Sequence, residues 1–91
     1  MKFSYYDLGN LNKGQVVEVQ LSAAANVRLM DSSNYSNYKN GRRHRYYGGY
    51  VKRSPYKITV PNSAHWYVTI DLGGYAGTVR HSVRVLSGAL P

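Results

Sequence analysis

The sequence predicts an all-β fold, an antiparallel β-sandwich or jelly-roll-like barrel of about seven or eight short strands. Apolar and polar residues alternate over most of the chain, as they do in half-buried strands. Clusters of glycine, proline and asparagine separate these runs at intervals of roughly 8–12 residues, which is typical of sandwiches and barrels. A length of 91 residues suits one domain, and no run has apolar residues at helical spacing. We therefore expect residues 1–91 to form a single β domain without helices.

The alternating runs define the predicted strands. They cover, in chain order, residues 3–8, 15–21, 25–29, 56–60, 66–70 and 79–85. In the second run, Val17, Val19 and Leu21 share one face, whereas Glu18 and Gln20 occupy the other. The same parity in the fifth run places the single tryptophan with the aliphatic residues. We therefore expect Trp66 to lie in the core.

Short clusters of turn-forming residues mark the predicted connections. They are residues 11–14, 40–41, 48–49 and 73–74. Asn40-Gly41 is the strongest hairpin signal, and the two glycine pairs suit a positive φ or a close backbone approach. Pro55 and Pro61 bracket one predicted strand, since proline is confined to strand ends. Asp7 and Asp71 each precede a Leu-Gly pair, where we expect them to bind nearby backbone N–H groups.

One segment, residues 31–49, departs from the alternating pattern. It contains no Leu, Ile or Val, and its only aromatic residues are tyrosines and one histidine. Long segments without regular structure are usually functional or disordered, and this one is too rich in tyrosine for disorder. Residues 42–47 are compatible with a strand, although neither face of it would be aliphatic. Such a strand would lie at a sheet edge or on an open face.

The excess of positive charge is concentrated in and after this segment. The chain carries 12 Lys+Arg and 4 Asp+Glu, yet no acidic residue occurs between Asp31 and Asp71. Tyrosines are interleaved with the basic residues there, so we predict a recognition surface within residues 35–57 for an anionic or polar ligand or protein. The candidate ligand-binding residues are Tyr38, Arg42, Arg43, Arg45, Tyr46, Tyr47, Tyr50 and Arg53.

Other interpretations of the same residues are open from the sequence alone. Lys and Arg could neutralise phosphates while Tyr stacks on bases, which would make the partner a nucleic acid or another polyanion. The basic stems could instead cover tyrosine rings on a solvated face and serve the fold only. Pairing of exposed strand edges or tyrosine faces between chains would give a homo-oligomer.

Several classes of chemistry lack their residues. The chain has no cysteine, no G-x-S-x-G motif and few carboxylates, so we expect a protein that is not an enzyme and has no cofactor. The three histidines, His44, His65 and His81, have no ligand-like spacing, so we expect no metal site. No apolar run reaches the ~20 residues of a membrane span, and no signal-peptide pattern is present. We therefore expect a cytoplasmic protein without a membrane partner.

Four blocks of sequence resemble a small bacterial family, the domain of unknown function 1883. The blocks are MKFSYYDLGNLNKGQVVEV, NVRLMDSSNY, NGRRHRYYGGYVKRSP and HWYVTIDLGGYAGTVRHSVRV. The resemblance implies a compact β-rich domain that occurs alone or as an N-terminal module fused to a Toll/interleukin-receptor-like domain. It brings no catalytic residues with it. The fusion habit implies, by association, a recognition module that reports a ligand to an effector.

Overall fold

Seven strands and one short helix make up the computed structural model, which describes residues 3–86. They are β1 (Ser4–Leu11), β2 (Val16–Leu21), β3 (Ala25–Asp31), α1 (Ser32–Lys39), β4 (Tyr47–Val51), β5 (Tyr56–Thr59), β6 (Ala64–Asp71) and β7 (His81–Leu86). The strands form a four-stranded sheet of order β1-β6-β3-β4 and a three-stranded sheet of order β5-β2-β7. Every neighbouring pair is antiparallel. The prediction of a mostly β, sandwich-like fold is confirmed.

The core lies between the two sheets and follows the predicted alternation. Val17 and Val19 of β2 face Val27 and Leu29 of β3, and all four side chains are fully buried. Trp66 is also buried, as predicted, and its indole N–H donates to the carbonyl of Asn62 at 3.0 Å. The inward residues of both sheets thus form one continuous apolar layer.

The first strand is longer than predicted because it contains a β-bulge. Its register against β6 shifts between Asp7 and Gly9, and the strand continues to Leu11. The Asp7 carboxylate accepts the backbone N–H of Gly9 at 2.9 Å, as predicted for this aspartate. The bulge lets β1 bend while it stays paired along the full edge of the sheet.

The expectation of no helix is wrong at Ser32–Lys39. Asp31 caps this helix, because its carboxylate accepts the backbone N–H of Asn34 at 2.9 Å. Tyr35 and Tyr38, three residues apart, face the sheet and are buried. The helical face therefore consists of two tyrosines rather than aliphatic residues, which is why the apolar pattern did not reveal it. No helix within residues 3–86 has the length and apolar character to span a bilayer.

Two glycine signals do not mark hairpin connections between strands. Asn40-Gly41 is not a hairpin, because Asn40 is the C-cap of α1 and Gly41 follows it with φ +70°. Gly48 and Gly49 lie inside β4 rather than between strands. They do have the predicted positive φ, and Gly48 makes the predicted close backbone approach, to the Val27 carbonyl. The strand predicted within residues 42–47 is likewise displaced, since β4 begins at Tyr47. It does lie at the edge of its sheet, as expected.

The remaining predicted connections agree with the structure. The signal at residues 11–14 corresponds to the link of residues 12–15 between β1 and β2. Residues 73–74 form a turn, in which the Tyr75 N–H donates to the Leu72 carbonyl at 3.2 Å. Pro55 and Pro61 flank β5. The last strand begins at His81, two residues after the predicted start.

Gly48→Ala should destabilise the fold far more than Gly49→Ala. Both glycines have positive φ, +117° and +153°, so alanine costs backbone strain at either position. Only at position 48 would the new Cβ also meet the Val27 carbonyl oxygen, 2.3 Å away, whereas nothing lies within 4 Å at position 49. We expect Gly48→Ala to lose at least about 2 kcal/mol more in urea unfolding. Equal losses would contradict the close packing of β4 on β3.

Candidate functional site

A second, smaller core lies on the outer face of the four-stranded sheet, beneath α1. Met30, Tyr35 and Tyr38 are buried there, with Phe3 and Tyr67 packed beside them. The rings of Tyr35 and Tyr67 stack with centroids 4.0 Å apart, and Phe3 meets Tyr38 edge to face at 4.9 Å. These contacts hold the helix on the sheet through aromatic packing.

The tyrosines of the predicted surface therefore fall into two groups. Tyr38 is only 8% exposed and belongs to the core under α1, so its ring is not part of an open binding face. Tyr46, Tyr47 and Tyr50 are 45%, 47% and 65% exposed, respectively. The predicted site is thus brought together only in part, at and just before the edge strand β4.

The predicted arginines lie on a segment held against α1. The Arg42 N–H donates to the Asn37 carbonyl at 2.8 Å, and the Arg45 N–H donates to the Asn34 side-chain oxygen at 2.7 Å. The side chains of Arg42, Arg43 and Arg45 are exposed. We call Arg42, Arg43, Arg45, Tyr46 and Tyr50 the Tyr/Arg surface. Arg53 is exposed in the β4–β5 connection.

A buried carboxylate beneath this surface connects four parts of the chain. Asp71, at the end of β6, accepts hydrogen bonds from the Asn26 side chain at 2.9 Å and from the Gly73 backbone at 2.7 Å. It also forms an ion pair with Arg28, and the Tyr38 hydroxyl donates to it at 3.4 Å. The bond to Gly73 confirms the predicted contact of Asp71 with nearby backbone. Asp71 thereby joins β6, β3, α1 and the loop after β6.

The ionisation of this cluster follows from its surroundings. Burial acts to raise the pKa of Asp71, but the hydrogen bonds from Asn26 and Gly73 and the charge of Arg28 outweigh it and lower that pKa. Burial raises the pKa of Tyr38, and the nearby negative charge of Asp71 adds to the rise. Asp71 is therefore a carboxylate and Tyr38 a neutral phenol at neutral pH.

Arg28 is a residue of the site that sequence reasoning missed. Its guanidinium lies 5.5 Å from the ring centroid of Tyr38 and 5.2 Å from that of Tyr46. The Arg28 guanidinium thus packs against the Tyr46 ring, and the Asp71 carboxylate neutralises the charge of Arg28. Its position on the polar face of a predicted strand was the available signal, but strand parity does not reveal the partner.

All four acidic side chains of the chain have structural contacts. Besides Asp71, Asp7 contacts His65 at 2.6 Å, Glu18 accepts a hydrogen bond from Arg84 at 2.6 Å, and Asp31 caps α1. Arg28 and Arg84 are consequently the basic residues with carboxylate partners in residues 3–86. The cations in that range without an ion pair are Lys13, Lys39, Arg42, Arg43, Arg45, Lys52, Arg53, Lys57 and Arg80.

A cleft of about 970 Å³ opens beside the loop that follows β6. Its titratable side chains are Asp71, Tyr75 and His81. Asp71 is engaged as described, and the ring Nδ1 of His81 lies 2.6 Å from the Tyr6 hydroxyl. The described part of the chain contains no group of three or more His, Asp or Glu residues suited to a metal ion.

Replacing Asp71 by alanine should destabilise the protein by about 3 kcal/mol or more, because it leaves Arg28 without its buried partner. Urea unfolding measures the loss. Asp7→Ala is the matched control, since the Asp7 side chain is 52% exposed and should matter much less. Similar losses for the two variants would contradict a central role for Asp71.

Acid should weaken the fold through the same group. Because folding lowers the pKa of Asp71, its contribution is present above the unfolded pKa of about 4 and is lost as the pH falls through the lower folded value. The free energy of unfolding should therefore drop below about pH 4. In Asp71→Asn this drop should be smaller, because position 71 no longer titrates. An unchanged pH profile in Asp71→Asn would refute the assignment.

Comparison with known proteins places the chain in a family. No curated protein and no solved structure matches it. A family model described as a domain of unknown function (DUF1883) matches residues 1–89. The match includes every strand of both sheets, the helix and the Tyr/Arg surface. Since it covers nearly the whole chain, the protein belongs to the DUF1883 family.

Proposed function

We propose that this protein is a non-catalytic recognition module that binds an anionic partner through the Tyr/Arg surface. The observation that carries the proposal is the set of exposed arginines on a segment anchored to α1, next to exposed tyrosines. A surface held in place before binding loses less conformational entropy when the partner arrives.

The charge distribution supports an anionic partner. Each acidic side chain already has a structural contact, so the arginines of the Tyr/Arg surface have no acidic side chain in residues 3–86 to neutralise them. Clustered cations repel one another and weaken the folded state, and the same cluster attracts anions. An anion that binds here would relieve that repulsion.

The two groups of tyrosines argue against a purely structural role for this surface. Tyr35 and Tyr38 hold α1 on the sheet, and they are the rings that the fold buries. Tyr50 is 65% exposed, so most of its surface is free for a partner. Exposed tyrosines offer rigid contact area at low entropic cost, which is why binding surfaces use them.

The non-catalytic part of the proposal rests on the state of the acidic groups. Asp71 is saturated with donors, Glu18 pairs with Arg84, and the exposed pair of Asp7 and His65 does not line the cleft beside the loop that follows β6. A general acid or base needs a group that can exchange its proton with a substrate. As part of the same proposal we place the module in the cytoplasm. A chain without cysteine forms no disulfide bonds, so its folding does not require an oxidising compartment.

The double variant Arg43→Ala/Arg45→Ala should lose affinity for polyphosphate at least tenfold, as two charge-assisted contacts are removed. Its melting temperature should stay within a few degrees, because both side chains are exposed. Lys13→Ala/Arg80→Ala removes the same charge from the β1–β2 and β6–β7 connections and is the matched control.

Fluorescence anisotropy with labelled polyphosphate measures the affinities, and light scattering of the same samples reports their size. Equal weakening by both double variants would show that net charge, not this surface, drives binding. A melting temperature lowered by more than ten degrees would show that the arginines are structural. If the particle size of the protein without ligand increases with protein concentration, self-assembly is favoured instead.

A further inference from the structure

We propose that the anionic partner is a single-stranded nucleic acid, whose phosphates contact the arginines and whose bases stack on Tyr46 and Tyr50. This inference rests on the proposed function and names its partner. It is carried by the arrangement of the two rings on the outer side of the four-stranded sheet, at its β4 edge.

The arrangement follows from the strand register. Gly48 lies opposite Arg28, and Tyr50 lies opposite Asn26, on the outer face. Tyr46, the residue before β4, lies on the same side because its ring contacts Arg28, and Gly48 between the two tyrosines has no side chain. Four residues of chain span at most about 14 Å, and stacked bases repeat about every 3.4 Å. The gap between the tyrosines accommodates a short stack of bases.

Electrostatics favour bases over carboxylates on these rings. The face of a tyrosine ring is negative, so it attracts cations and stacks with planar bases but repels the carboxylates of an acidic peptide. Each ring already has a cation nearby: Arg28 lies 5.2 Å from the centroid of Tyr46, and Lys52 lies 5.9 Å from that of Tyr50. A single-stranded nucleic acid offers both bases, which stack on the tyrosine rings, and phosphates, which pair with the arginines of the Tyr/Arg surface.

The geometry favours a single strand over a duplex. Bases inside a duplex are already stacked and cannot reach two protruding rings without being unpaired. The helix α1 carries a single basic residue, Lys39, so it offers little positive charge to the phosphates that border a major groove. A flexible strand can splay its bases onto the tyrosines while its backbone follows the arginines.

The test compares two probes with the same phosphate backbone. A fluorescein-labelled twelve-nucleotide oligo(dT) carries bases, and an abasic oligomer of equal length does not. We expect the protein to bind oligo(dT) at least tenfold more tightly in about 50 mM salt, because stacking adds to the phosphate contacts. With about four phosphates neutralised, log affinity should fall against log salt with a slope near −2.8.

Tyrosine variants assign the stacking to this surface. Tyr46→Leu and Tyr50→Leu should each weaken oligo(dT) binding about tenfold and leave abasic binding unchanged, whereas Tyr50→Trp should keep the affinity. Tyr5→Leu removes a 58% exposed tyrosine from β1, the opposite edge strand, and should change neither the affinity for oligo(dT) nor the affinity for the abasic oligomer. Circular dichroism spectra and melting curves check that all four variants are folded.

The possible results distinguish failure of the nucleic-acid assignment from failure of the proposed anion-binding function. Equal affinity for the two probes, with no effect of the tyrosine variants, would overturn the nucleic-acid assignment and leave a general anion-binding surface standing. Tighter binding of a duplex of equal length, or of a poly-glutamate peptide, would also overturn it. Failure of polyphosphate, oligo(dT) and the abasic probe alike to bind at low salt would overturn the proposed function as well.

Discussion

The ion pair between buried Asp71 and partly buried Arg28 is the contact on which the candidate site depends. Asp71 ends β6 and receives hydrogen bonds from β3, from Tyr38 of α1 and from the backbone of the following loop. Arg28 in turn lies against the rings of Tyr38 and Tyr46. A lone charge at this depth would be costly, so each partner requires the other to stay in place. The position of Tyr46 is therefore coupled to a carboxylate two strands away.

The anchored helix determines how the basic residues are presented. Asp31 starts α1, Tyr35 and Tyr38 hold it on the sheet, and the side chain of Asn34 and the carbonyl of Asn37 bind the segment that follows. The arginines of that segment, Arg42, Arg43 and Arg45, therefore lie just before the edge strand β4. A short polar stretch thus becomes an ordered surface because two of its own tyrosines form a small core.

The distribution of acidic residues explains why so much positive charge is tolerated and exposed. The four acidic side chains cap a helix, support a bulge, or pair with Arg28 and Arg84. The arginines of the Tyr/Arg surface receive none of them. Binding of an anion would therefore compensate charge that the fold itself leaves uncompensated.

By itself, the sequence determined six of the seven strands in residues 3–86 and their inward faces, since alternation reports which face is apolar. It also predicted a tyrosine-containing strand at a sheet edge, although the strand lies at Tyr47–Val51 and not within residues 42–47. It also located the exposed arginines. Only the tertiary structure decided that residues 32–39 are helical, because the stabilising contacts are those of Tyr35 and Tyr38 with a sheet assembled from distant strands. For the same reason it alone separated buried Tyr38 from exposed Tyr50 and brought Arg28 to Asp71. Periodicity records which side of a strand is buried, whereas partners 43 residues apart meet only through the strand order.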